Sequence, residues 1–130
     1  MPQKPAHPIS DPTESELAIL QILWRKGPSS VRTVWMELGQ KTGYTTILKF
    51  LQIMLEKGLV RRNDTKLTHI YETAVAATET QERLLNRFID KAFSGSASEL
   101  VLRALSVKPV SAEERSAIRA LLTETERNRQ

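Results

Sequence analysis

The segment at residues 43–62, GYTTILKFLQIMLEKGLVRR, has apolar side chains around most of a predicted helix. The apolar positions in this segment are Ile47, Leu48, Phe50, Leu51, Ile53, Met54 and Leu55. A helix with so broad an apolar surface is stable in water only where other elements cover it. The members of the narrow polar stripe that remains are Thr45, Lys49, Gln52 and Glu56. This helix must therefore pack inside a small domain while it presents one polar face, and a basic pair, Arg61 and Arg62, follows it.

The chain before this segment has the start and stop signals of two more short helices. Thr13 and Glu16 are spaced as a capping box, and a Gly-Pro pair ends the apolar run after them, which predicts a first helix at residues 13–26. The two serines that follow are good N-cap residues for a second helix, which Gly39 closes. The third helix is predicted at residues 45–57.

After the third helix the pattern changes to that of a β-hairpin. Leu59 and Val60 begin a strand, NDTK is typical of a turn, and LTHIYET alternates as a returning strand. Three helices followed by a hairpin is the order of a winged helix-turn-helix, in which the third helix enters the DNA major groove. The sequence therefore predicts a mainly α fold with a small β-hairpin, with a DNA-binding domain at residues 13–76 after a flexible arm at residues 1–12.

Basic charge is concentrated in the same part of the chain. Residues 28–66 contain seven basic and three acidic residues, so this third holds the whole net charge of +4. Hydroxyl, amide and cationic groups on such a surface bind base edges and phosphates. The predicted DNA-binding residues are Ser30 and Arg32 in the second helix, Tyr44, Thr45, Thr46, Lys49 and Gln52 in the third, and Arg61, Arg62 and Lys66 in the hairpin. We assign the hairpin residues to backbone contact.

Residues 77–130 have a helical pattern throughout and are predicted to form a dimerisation region. Three pairs are spaced as capping boxes, namely Thr78 with Gln81, Ser96 with Glu99, and Ser111 with Glu114. The predicted dimerisation residues are Leu84, Leu85, Phe88, Ile89, Phe93, Leu100, Val101, Leu105 and Leu121. A two-fold dimer would place two recognition helices on half-sites about 34 Å apart. The alternative is that these side chains pack back on the N-terminal domain.

Several other classes of protein lack their signatures in this sequence. The absence of Cys excludes disulfides, thiolate metal sites and a cysteine nucleophile. No run is long enough to span a membrane, and the N-terminus lacks the apolar core of a signal peptide, so the cytoplasm is expected. His7 and His69 would lie far apart in a winged-helix fold, and no Gly-rich phosphate loop is present. We therefore expect no enzyme, no metal and no cofactor.

One alternative of a different kind remains open. A winged helix can serve as a protein-interaction adaptor without sequence-specific DNA binding. Salt separates the two hypotheses, because the affinity for DNA falls with a log–log slope of about −0.9 for each phosphate contacted. An apolar protein interface built on Leu84, Phe88 and Phe93 should hardly respond to salt.

Three stretches resemble one family of bacterial transcription regulators. DPTESELAILQILWRKGPSSVRTVWMEL, YTTILKFLQIMLEKGLVRR and HIYETAV resemble the penicillinase-repressor family, which includes β-lactamase, methicillin-resistance and copper-responsive repressors. The most specific matches are Glu16, Leu23, Trp24, Thr46, Ile47, Leu51, Glu56, Lys57, Gly58, Leu59 and Tyr71. The resemblance covers residues 9–125 and implies a homodimer that binds a palindromic operator and represses downstream genes.

The resemblance also implies roles for individual positions. In the family, base contacts come from the start of the third helix, which corresponds here to Thr45 and Thr46, and Ile53 stands where the family often has an Arg. Family members are derepressed when a membrane-bound sensor metalloprotease cleaves the dimerisation region. The matching position here is Arg103-Ala104, in place of the Asn-Phe pair of the β-lactam-responsive members. Without Cys, the chain lacks the thiolate ligands of the copper-responsive members.

Overall fold

The computed structural model describes residues 11–64 and 67–128, and the chain divides into two compact units, Met1–Leu85 and Asn86–Gln130. The first unit contains α1 (Glu14–Lys26), β1 (Ser29–Ser30), α2 (Val31–Glu37), α3 (Tyr44–Lys57), β2 (Val60–Asn63) and β3 (Ile70–Thr73). The elements that follow are α4 (Ala77–Phe93), which crosses the division, α5 (Ala97–Val107) and α6 (Ala112–Asn128). The predicted mainly helical, winged helix-turn-helix fold is confirmed. The predicted domain boundary between residues 76 and 77 stays a prediction. Residues 1–10 of the predicted arm lie outside the described residues.

Capping boxes begin the first and last helices, as predicted. The Thr13 hydroxyl accepts a hydrogen bond from the Glu16 amide at 3.2 Å, and the Glu16 carboxylate accepts one from the Thr13 amide at 3.0 Å. Ser111 and Glu114 make the same reciprocal pair at the start of α6, at 3.1 and 2.8 Å. Ser96 caps α5. In each case the side chains satisfy backbone N–H groups that have no partner within the helix.

The capping box predicted at Thr78 and Gln81 is wrong. Helix α4 already begins at Ala77, so Thr78 lies within its first turn. The Thr80 amide donates to the Ala76 carbonyl at 3.2 Å, which shows that the helical hydrogen bonds start before the predicted cap.

The core of the first unit is formed by α1, α2, α3 and the strands. Its buried apolar residues are Ile19, Leu20, Ile22, Leu23, Val31, Val34, Ile47, Leu51, Met54, Leu59, Val60 and Tyr71. Three of them come from α3, where the spacing of Ile47, Leu51 and Met54 puts one side of the helix against its neighbours. The opposite side of α3 is therefore left facing outwards.

The first unit also contains a three-stranded antiparallel sheet with the strand order β1-β3-β2. The buried Tyr71 of β3 lies opposite Ser29 of β1 on one side and Arg62 of β2 on the other. The sequence did not predict β1, and β3 begins at Ile70 rather than at Leu67. We call β2, β3 and the described residues between them the wing.

The helices of the second unit differ from those of the first in burial. None of the residues of α5 or α6, all of which the structure describes, is buried. The side chains of Phe88 and Phe93 in α4 make an edge-to-face contact with ring centroids 5.7 Å apart. Within the described ranges, no helix is both long and apolar enough to cross a lipid bilayer.

Candidate nucleic-acid interface

The polar stripe of the third helix forms the outer face of α3. Three predicted DNA-binding residues of this stripe, Thr45, Lys49 and Gln52, are exposed, and so is Thr46 beside them. The stripe lies opposite the buried Ile47, Leu51 and Met54, so the helix separates a packing face from a hydrogen-bonding face. The outer face thus presents hydroxyl, amide and ammonium groups in one row, which are the groups that contact base edges and phosphates.

The N-terminus of α3 has no side-chain cap. Its N-cap residue is Gly43, which makes no capping hydrogen bond, whereas a serine or threonine hydroxyl caps α1, α2, α5 and α6. The first N–H groups of α3 are therefore not blocked by a neighbouring side chain at this end of the helix. A helix N-terminus with available N–H groups and a positive dipole end favours a phosphate.

Trp35 fixes the turn that leads into α3. Its indole Nε1 donates to the Thr42 carbonyl at 2.8 Å, and its ring meets Tyr44 edge-to-face with centroids 5.8 Å apart. Tyr44 is 44% exposed and stands at the first position of α3. The sequence places Trp35 in the second predicted helix and indicates neither of these contacts. Its two contacts hold both the backbone before α3 and the first predicted DNA-binding residue of that helix.

A partly buried ion pair fixes the other end of α3. The Lys57 ammonium lies 2.8 and 3.1 Å from the two carboxylate oxygens of Glu16, which is only 2% exposed. The same carboxylate accepts the hydrogen bond from the Thr13 amide, so the Glu16 side chain joins the start of α1 to the last turn of α3. The sequence indicated the cap but not the ion pair, because no local pattern links positions 41 residues apart.

The start of α2 provides two further predicted residues with different surroundings. The Ser30 hydroxyl caps α2 by accepting from the Thr33 amide at 3.2 Å, and it lies 3.1 Å from the Thr33 hydroxyl. Arg32 is exposed and makes no ion pair with any of the residues that the structure describes. Arg32 is thus the more available of the two for a DNA phosphate.

The basic residues of the wing are paired with acids. The Arg61 guanidinium lies 3.7 Å from Glu72, and the Arg62 guanidinium lies 2.7 Å from Asp64. The hydrogen bond that Arg62 donates to the Asp64 carboxylate raises the pKa of Arg62 above its usual value. His69 Nδ1 lies 2.8 Å from the same carboxylate oxygen of Asp64. Lys66, the third predicted wing residue, lies outside the described residues.

These elements together have the geometry of a winged helix-turn-helix DNA-binding surface. The chain belongs to the penicillinase repressor family, which matches residues 12–124. It is therefore a DNA-binding transcriptional repressor and not an enzyme, as predicted. In the part of the chain that the structure describes, no group of three or more His, Asp or Glu side chains is arranged to hold a metal ion.

Two solved structures of transcriptional regulators are similar to this chain at low identity. The PcaV regulator of Streptomyces coelicolor, solved with its natural ligand, is 16% identical over 93% of this chain and 79% of its own, with a TM-score of 0.49. ZitR of Lactococcus lactis, solved as a point variant, is 14% identical over 98% of this chain and 82% of its own, also with a TM-score of 0.49. At this level the likenesses carry no inference about ligand or assembly. A search of curated protein sequences found no match.

Proposed function

We propose that this repressor acts as a homodimer that binds a palindromic operator through the outer face of α3. The observation that carries the proposal is the combination, on one 14-residue helix, of an exposed polar row and an uncapped N-terminus. A recognition helix needs both, because phosphate contacts position it and base contacts supply specificity. Such a protein works where the chromosome is, in the cytoplasm.

Each residue of α3 has a defined role in this proposal. Thr45 and Thr46, in the first turn, contact base edges or thymine methyl groups. Lys49 neutralises a phosphate or donates to guanine, and Gln52 pairs with adenine. A good bidentate contact to a base contributes roughly 1–3 kcal/mol of discrimination. Ile53, which is 36% exposed beside this row, offers an apolar contact where family members often carry an Arg.

The residues around α3 hold the helix in register on the phosphate backbone. Arg32 at the start of α2 and Arg61 on the wing are both exposed and flank the recognition helix in sequence. Guanidinium contacts of this kind set affinity and salt dependence without reading sequence. Ser30 and Lys66 complete the proposed set, and Arg62, which was also predicted, joins it only where its ion pair with Asp64 opens.

The proposed dimer interface is the apolar surface of α4, α5 and α6. Four of its predicted residues are half-buried, namely Leu84, Ile89, Phe93 and Leu100. The other five are exposed, namely Leu85, Phe88, Val101, Leu105 and Leu121. An apolar groove of about 370 Å³, lined among others by Leu105, Ile118 and Leu122, lies between the end of α5 and α6. Exposed apolar side chains in this number are typical of an interface, and a second copy of the chain would cover them.

Derepression by a membrane-bound sensor metalloprotease is the second part of the proposal. Arg103 and Ala104, the site that the family resemblance indicates, are exposed on α5. Because the site is helical, α5 has to open locally before a protease can bind it as an extended strand. Incubation with the cognate protease should yield fragments 1–103 and 104–130, and a chelator should prevent cleavage. If residues 73–130 stay intact while the protease cleaves another substrate, this route is excluded.

The test of operator binding is titration of the chain with the DNA upstream of its own gene, against a scrambled duplex, over a salt series. Thr46→Ala should weaken binding to the operator more than to the scrambled duplex. Lys49→Ala should reduce the salt slope by about 0.9 per protomer if Lys49 contacts a phosphate. Matched controls are Gln21→Ala on α1 and Lys91→Ala on α4, both exposed.

The outcome also separates a repressor from an adaptor. Tight, salt-sensitive and sequence-selective binding that the two α3 variants weaken supports the proposal. Weak binding that is equal on both duplexes and unchanged in Thr46→Ala and Lys49→Ala contradicts it for this operator. Partner binding that hardly changes with salt would instead favour the protein-interaction adaptor.

A further inference from the structure

One carboxylate oxygen joins the two sides of the wing. Asp64 Oδ1, just after β2, lies 2.7 Å from Arg62 Nε and 2.8 Å from His69 Nδ1, just before β3. Both nitrogen atoms therefore lie within hydrogen-bonding distance of the same acceptor. A charge-assisted hydrogen bond of this length restricts the guanidinium to one orientation.

The two arginines of the wing are consequently not equivalent. The side chain of Arg62 is 33% exposed and makes a short contact with its acid, whereas that of Arg61 is 67% exposed and lies 3.7 Å from Glu72. Arg62 is thus held against the wing, while Arg61 extends from it.

We propose that Asp64 is a positioning residue that withholds Arg62 from DNA phosphates and so limits the affinity of the repressor for DNA. This inference rests on the proposed contact between the wing and the DNA backbone. Asp64 competes with a phosphate for the same guanidinium, and it also adds a negative charge to a surface that approaches a polyanion. Because phosphates carry no sequence information, Asp64 lowers the affinity for operator and unrelated DNA by the same factor.

The test is Asp64→Asn, which keeps the size of the side chain and one oxygen acceptor but removes its charge. The salt slope of binding should become steeper by about 0.9 per protomer, since one more phosphate is neutralised. Near 0.1 M salt this corresponds to binding that is roughly eightfold tighter per protomer, on both the operator and the scrambled duplex. Glu82→Gln, the same change at an exposed position of α4, is the control and should leave the slope unchanged.

A double-mutant cycle shows whether Arg62 is the group that Asp64 withholds. Arg62→Ala alone should change the slope little, because this guanidinium is already occupied. In the Asp64→Asn background, Arg62→Ala should abolish the gain. Asp64 and Arg62 are exposed wing residues, so the variants should unfold at nearly the same temperature as the parent chain, which circular dichroism checks.

Two results would overturn the inference while leaving the proposed function intact. One is an Asp64→Asn variant with the affinity and slope of the parent chain. The other is a loss of about 0.9 from the slope in Arg62→Ala alone, which would show that Arg62 already binds a phosphate. A parent chain whose DNA binding does not depend on salt would contradict the proposed function itself, and the inference would fail with it.

Discussion

The first unit and the helices α5 and α6 bury very different amounts of apolar surface, although α1 in the one and α6 in the other begin with the same capping box. The capping box of α1 leads into a helix with four buried apolar residues, Ile19, Leu20, Ile22 and Leu23. The capping box of α6 leads into a helix in which none of the residues, all of them described by the structure, is buried. Local signals set where a helix starts, whereas burial depends on whether the chain supplies an element to cover it.

This difference separates two sources of stability. The fold of the first unit is maintained by its own core, which includes the inner face of α3. The apolar side chains of α5 and α6 gain their hydrophobic stabilisation only when another surface covers them. In the proposed dimer that surface is a second copy of the chain, so the stability of these helices should depend on protein concentration.

The largest expected effect is that of Leu51→Ala in the core. Leu51 is fully buried, and truncation of such a residue costs about 2–5 kcal/mol of unfolding free energy because it leaves a cavity. Leu121→Ala in α6, where the side chain is 59% exposed, is the matched variant in the second unit. We expect Leu51→Ala to lower the stability at every protein concentration in urea titrations, and Leu121→Ala to alter its concentration dependence. Equal losses in dilute protein would contradict the comparison.

The next effect is that of Lys57→Met, which leaves the Glu16 carboxylate buried without its cation. Loss of one partner of a buried ion pair costs about 3–5 kcal/mol, and the partial exposure of Lys57 places this case at the lower end. Glu37→Gln is the control, since it breaks the exposed 2.7 Å pair with Lys26 and should change the stability little. A Lys57→Met variant as stable as the Glu37→Gln variant would show that the buried pair does not anchor α3.

A third effect concerns the proposed dimer. Phe88 is 53% exposed on α4, and Phe88→Asp places a charge on the apolar surface. We expect dimerisation to weaken by more than about 1 kcal/mol, as is usual for a buried aromatic residue at an interface. Asn86→Asp adds the same charge at an exposed polar position of the same helix and is the control. Analytical ultracentrifugation measures both, and equal dissociation constants for the two variants would exclude Phe88 from the interface.

The helices and the polar face of α3 could be predicted because their signals are local. The spacing of Ile47, Leu51 and Met54 gives the buried side of α3 directly, and the capping pairs Thr13–Glu16 and Ser111–Glu114 are separated by only three residues. The two-residue strand β1 could not be predicted, because so short a segment has no period, and it is defined only by its pairing with β3.

The contacts that hold the site together could not be predicted because they join distant positions. The Glu16–Lys57 ion pair joins two helices, and the Trp35 hydrogen bond depends on the shape of the turn before α3. The sequence predicted Arg62 as a backbone contact from its charge and its place in the predicted wing. Its short pairing with Asp64 follows from the way the hairpin closes, which a charge count does not contain.

The smallest expected effect is a pH-dependent one in the capping box of α6. Hydrogen bonds from the Ser111 amide, first, and from the Ser111 hydroxyl hold the pKa of the Glu114 carboxyl below its ordinary value of 4.5. A carboxyl whose pKa is lower in the folded state stabilises that state above the unfolded pKa, and this contribution is lost as the pH falls through the folded pKa. Glu114→Gln should therefore lower the thermal stability at pH 7, and the difference from the parent chain should vanish in acid.

Glu113→Gln is the control, because Glu113 lies in the same first turn of α6 near the helix dipole but outside the capping box. Circular dichroism at neutral and acid pH measures both variants, and a Glu114→Gln difference that persists unchanged in acid would show that the carboxylate charge does not stabilise this cap.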